Sequence, residues 1–92
     1  MTISTFKLGD LLSTPAALAA LFRSGQTPLF FLARHARGDW GDVDAEDWRA
    51  NDAAVRGGNR ILSAYKTLKG ETLWVITEAD RSVTTILLPE EY

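Results

Sequence analysis

The feature that most constrains this chain is a change of texture at Gly57-Gly58. Ahead of it, hydroxyl–proline pairs and isolated glycines punctuate short apolar runs, as in helices that start and stop. Behind it, β-branched and aromatic residues alternate between turn signals, as in strands. The order predicts an α+β fold: two or three N-terminal helices packed on a C-terminal three- to four-stranded antiparallel sheet, a meander. One domain over residues 1–92 accommodates it.

Ser13-Thr14-Pro15 opens the clearest helix, a hydroxyl N-cap followed by proline at the first helical position, where its missing N–H costs nothing. Ala16–Phe22 continues it and Gly25 is a left-handed stop. Thr27-Pro28 repeats the device for a helix through Leu29–Leu32 to Ala36, ended by Gly38. Asp44 caps a third, Ala45–Arg56, with Glu46 and Asp47 in the first turn and Arg56 in the last, as the helix dipole favours. Strands follow at Asn59–Thr67, Thr72–Glu78 and Val83–Leu88, separated by turns at Lys69-Gly70 and Ala79-Asp80-Arg81 and stopped by Pro89. A short edge strand is expected at Ile3–Lys7. The core is expected to set Trp74, Ile76, Ile86 and Leu88 against Leu18, Leu21, Leu29 and Leu32. Leu73, Val75, Val83 and Leu87 make the other sheet face apolar as well, so a further element, a partner protein or a second copy should cover it.

Composition removes whole classes of chemistry. No cysteine means no disulfide, thiolate metal site or cysteine nucleophile, and a single histidine means no multi-histidine metal site. No cofactor or metal is expected. Ten basic against twelve acidic residues leave a net charge of −2, which argues against nonspecific nucleic-acid binding, although Arg34, Arg37 and Arg60 are the residues such binding would use. No apolar run reaches the ~20 residues a membrane span needs, and Met1–Asp10 lacks a signal-peptide pattern. A cytoplasmic protein without membrane association is the expectation.

Few residues could carry chemistry. His35 is a candidate acid or base, or simply a polar residue at a helix C-terminus. Trp40, between Gly38-Asp39 and Gly41, is either a binding anchor or a plug over the helix junction, its large apolar area favouring the plug. Asp39–Asp52 holds six acidic residues and one arginine, beside the basic pair Arg34 and Arg37. Its spacing lacks the glycine and distal glutamate of a calcium loop. Glu78 and Arg81 in the last turn, with His35, would supply the acid, base and phosphate clamp of a metal-independent ribonuclease. A hairpin tip with a local ion pair is the plainer reading. Arg34, Arg37, Asp39, Trp40, Asp80 and Arg81 are the residues expected to meet a binding partner.

Gly38-Asp39-Trp40-Gly41, Glu46-Asp47, Asn51, Arg60–Tyr65 and the closing stretch Leu73–Tyr92 resemble a group of small bacterial proteins carried by plasmids, integrative elements and phages. The resemblance covers about the last two thirds of the chain and carries no catalytic residue with it. It implies an accessory role in a mobile element: control of host defence, plasmid maintenance or toxin–antitoxin biology. The order of elements also resembles the barnase- and RelE-like ribonuclease architecture, a likeness of fold alone. A non-enzymatic protein-binding module is the first expectation, and a small ribonuclease the alternative.

Overall fold

The side chains at the helix starts do what their chemistry suits them for. In the computed structural model, which describes residues 5–92, the Thr14 hydroxyl accepts the Ala17 N–H at 3.1 Å and opens α1, Pro15–Ser24. Gly25, at φ 70°, closes α1 in the left-handed conformation. Pro28 begins α2, Pro28–Ala36. The Asp44 carboxylate accepts the Asp47 N–H at 2.7 Å and opens α3, Ala45–Gly57. Three strands follow: β2, Ile61–Lys66; β3, Thr72–Thr77; and β4, Val83–Leu87. They pair antiparallel in sequence order.

The meander is incomplete as a description. A fourth strand, β1, Asp10–Ser13, precedes the helices and pairs parallel with β4, so the sheet is mixed, in the order β1-β4-β3-β2. The edge strand expected at Ile3–Lys7 is absent from Thr5–Lys7, and Ile3 and Ser4 lie outside the described residues. Phe6 explains the difference. Its ring packs edge-on to His35 at 5.4 Å and beside Trp40 at 6.0 Å, so this segment dives under the helices instead of running along the sheet.

The register sorts the sheet into two faces. Tyr65, Leu73, Val75 and Ile86 face α1 and α2, where they bury Ala17, Ala20, Leu21, Phe31 and Leu32. Trp74 and Ile76 point the other way, which corrects the expected core, and Leu18 and Leu29 are exposed. The reason is parity: Val75, not Ile76, stands opposite Ile86. The outer face is covered in part by the chain's own C-terminus. A short 3₁₀ turn, Pro89–Glu91, brings Tyr92 edge-on to Trp74 at 5.7 Å, with the Arg60 guanidinium 5.0 Å from the centre of the Tyr92 ring. The Glu91 carboxylate holds the turn by accepting from the Thr14 hydroxyl at 2.7 Å and the Leu88 N–H at 2.8 Å.

At the β2 edge, the main chain before α3 acts as a substitute strand. The Ala64 N–H donates to the Trp40 carbonyl at 3.0 Å, and the Asp42 N–H donates to the Ala64 carbonyl at 2.7 Å. Gly41 makes this approach possible: its φ is 76°, and a Cβ there would collide with the Ala64 carbonyl and the Tyr65 ring.

Candidate functional site

His35 reaches its place because α2 lies across the sheet with its last turn above β2 and β3. Its side chain is completely buried, and both ring nitrogens are occupied: Nδ1 is 2.6 Å from Ser63 Oγ and Nε2 is 2.9 Å from Thr77 Oγ1. The chain continues from Thr77 to Thr84, whose hydroxyls are 2.7 Å apart, and Thr84 donates to the Leu8 carbonyl at 2.7 Å. Donor arithmetic then determines the protons from Thr84 back to His35 Nε2, and the neutral ring determines the last. Thr84 has one hydroxyl hydrogen and spends it on Leu8, so Thr77 must donate to Thr84. Thr77 therefore accepts from His35 Nε2–H, and His35 Nδ1 accepts from the Ser63 hydroxyl. A neutral imidazole satisfies the whole row, whereas an imidazolium would place an uncompensated charge in a buried site. Burial pushes the His35 pKa down from 6.5 to about 4.

The structure does not assemble His35, Glu78 and Arg81 into a reacting set. His35 faces Ser63 and Thr77, and Glu78 is exposed. The Arg81 guanidinium is committed to main-chain carbonyls, donating to Asn59 and Ala54 at 2.7 and 2.6 Å and, more weakly, to Glu78 at 3.1 Å. It thereby ties the last turn of the sheet to the end of α3. The Phe6 ring, 5.7 Å from that guanidinium, packs against His35 on its other contacts.

The residues expected to meet a partner are mostly engaged within the chain. Arg34 grips Asp39 through two nitrogens, Nε to Oδ2 at 2.7 Å and Nη2 to Oδ1 at 3.3 Å, and lies 4.5 Å above the Tyr65 ring. Arg34 holds the Asp39 carboxyl below the usual carboxylate range. Arg37 stands 3.9 Å from the same carboxylate and is more exposed. The Tyr65 hydroxyl donates to the Asp39 carbonyl at 2.6 Å, and burial raises its pKa. Trp40 is a plug: fully buried, 5.7 Å from the His35 ring, with its indole N–H donating to Asp52 at 2.9 Å. Asp80 accepts the Ser82 N–H at 3.0 Å and shapes the final turn. The acidic stretch runs from the segment before α3 into the helix, and among the described residues no group of three histidine or carboxylate side chains is placed to hold a metal. No helix among them is long and apolar enough to cross a membrane.

Ser63, Thr77 and Thr84 were missed from the sequence. Each sits at a core-facing position of its strand, and a hydroxyl at such a position signals a buried polar partner.

The exposed chemistry is apolar. On the outer side of the α1–α2 hairpin Phe22 is 87% and Leu29 69% exposed, with Leu18 and Phe30 also open to solvent. A groove of about 540 Å³ runs between Leu18, Ala19, Phe22, Gln26 and Pro28. Beyond it, the Gln26 side chain accepts the Leu68 N–H at 2.9 Å and sets exposed Leu68 beside the hairpin. No family model, curated protein or solved structure matches this chain.

Proposed function

We propose that this protein is a cytoplasmic, non-enzymatic accessory protein of a mobile element that acts by binding a protein partner. The observation that carries the reading is the contrast in accessibility. His35 is buried and satisfied by hydroxyls, Arg81 is tied to main-chain carbonyls and Glu78 stands apart from both, whereas large apolar side chains stand in solvent on the α1–α2 hairpin. Exposed aromatic and aliphatic side chains around a groove between helices are what a protein partner with an apolar face would bury. The resemblance of Gly38–Gly41 and Leu73–Tyr92 to proteins of plasmids and phages supports the mobile-element setting.

The test is quantitative binding of whatever partner tagged protein captures from its host, compared with the double variant Phe22→Ser, Leu29→Ser. Both positions are exposed, so the variant should fold normally by circular dichroism. Loss of at least tenfold in affinity supports the reading, and unchanged binding removes the hairpin from it. Cleavage of RNA by the purified protein in metal-free buffer would replace it with the ribonuclease alternative.

A further inference from the structure

The outer edge of β1 is open where the opposite edge of the sheet is closed. In the parallel pairing with β4, Asp10 and Thr14 donate to the Ser82 and Ile86 carbonyls, both at 3.0 Å. The alternation of strand geometry therefore turns the N–H and C=O of Leu11 and Ser13 away from the sheet. None of these four groups has a partner among the described residues. The side chains beside them are apolar and open: Leu11 is 49% and Leu12 56% exposed. Unpaired strand groups of this kind are complemented by another strand, and this short edge has no lysine or proline and carries its one charge, Asp10, at its end.

We infer that the edge of β1 pairs antiparallel with β1 of a second copy of this chain, across a two-fold axis at Leu12. In that register Leu11 and Ser13 of the second copy exchange both main-chain hydrogen bonds, as do Ser13 and Leu11 across the axis. Four bonds satisfy all the open groups. The two Leu12 side chains meet directly on the outer face, at a pair of the closer, non-hydrogen-bonded kind.

The strand's charge favours this arrangement. Asp10 is its only charged residue. Antiparallel pairing about Leu12 puts the two carboxylates at opposite ends, about 13 Å apart, whereas parallel pairing would set them side by side. Gly9 determines where pairing stops. Its φ is 68° and its backbone lies against the Ser82 carbonyl with no room for a Cβ, so the regular strand begins at Asp10 and a register centred further back is disfavoured. A foreign strand would find the same groups; the second copy fits because the strand is self-complementary, its own Leu12 meeting its counterpart and its own charges falling apart. The proposal deepens the protein-binding reading by naming one partner. It concerns β1, not the α1–α2 hairpin, so the two fail separately.

Such an interface is smaller than that of a stable complex, so self-association with a dissociation constant on the order of 10–100 µM is expected. Sedimentation velocity of the full chain from about 10 µM to about 1 mM reads it. Wild type should shift from monomer to dimer across the series. Leu11→Pro removes an outward N–H that the monomer does not use and should stay monomeric. Leu12→Glu and Leu12→Lys should each be monomeric alone and dimerise when mixed, because the axis places these side chains together. A wild type monomeric throughout overturns the proposal. So does association that survives Leu12→Glu, or that is lost with Phe22→Ser but retained by Leu11→Pro. A mixture of the two charged variants that stays monomeric overturns the register, even if Leu11→Pro fails to fold.

Discussion

At the β2 edge, the main-chain groups of Leu62 and Ala64 are taken up from outside the sheet; at the β1 edge, those of Leu11 and Ser13 are not. The closed edge uses two devices. Asn51 of α3 donates to the Leu62 carbonyl at 2.8 Å and accepts its N–H at 3.3 Å, so a side-chain amide mimics a neighbouring strand. Trp40 to Asp42 then supply real main chain. The open edge is protected only by being short. Edge protection here comes from α3 and from the segment that leads into it, both of which lie beside β2. The polar row Ser63–His35–Thr77–Thr84–Leu8 runs between the two, from β2 to the segment that leads into β1.

The largest effect is expected from removing the plug behind the closed edge. Trp40→Ala empties a completely buried site and leaves Asp52 without its indole donor, at a cost of about 3–5 kcal/mol by urea unfolding. A cost below about 1 kcal/mol, the level of an ordinary surface substitution, would mean that Trp40 does not hold that edge in place.

Acid should act next, through the polar row. His35 is neutral when folded down to a pKa of about 4 but titrates near 6.5 when unfolded. Between those values the unfolded chain binds a proton that the folded chain does not. Stability is therefore complete above about pH 6.5 and falls as pH drops towards 4, by up to about 3 kcal/mol. Asp39, whose carboxyl Arg34 holds below its ordinary value, adds its loss as pH falls through the usual carboxylate range and below it. In His35→Gln the fall that begins near pH 6.5 should disappear while the carboxylate loss at lower pH remains. Chemical denaturation across the pH series measures both.

The helix ends were legible because each is local. Thr14-Pro15, Asp44, Gly25 and Gly58 act within a turn of their own position, and all four do so in the structure. β2, β3 and β4 were legible from alternation and turn residues. β1 was not, since four residues without alternation become a strand only by lying against β4, some seventy positions along the chain. Parity was obscured because both faces of β3 are apolar, so nothing local distinguishes Val75 from Ile76. The candidate site failed for a related reason. The sequence offers His35, Glu78 and Arg81 as polar residues of suitable chemistry, but the partners His35 takes are hydroxyls 28 and 42 positions away. Trp40 was readable as a plug, because burying an indole outweighs most alternatives for a residue between glycines.

Asn51→Ala tests the closed edge itself. It strands the Leu62 N–H and carbonyl together, which is expected to cost about 1–3 kcal/mol, with faster amide exchange at Leu62. If the Leu62 amide keeps its protection, α3 closes the edge by shielding and not by hydrogen bonding.

The smallest effect belongs to the open edge and completes the comparison. Leu11→Pro should change the unfolding free energy of the monomer by less than about 0.5 kcal/mol, because its N–H points out of the sheet and β4 loses nothing. Proline at Ala64 removes the N–H that Trp40 accepts at 3.0 Å, and should cost several times as much. Both residues lie in edge strands, so the proline pair separates strand position from edge closure. Equal costs would show that β1 is sealed by something other than its neighbours in the sheet. Unequal costs, measured in dilute solution where self-association is absent, make β1, of the two edges of the described sheet, the one where a second strand can add without displacing a bond.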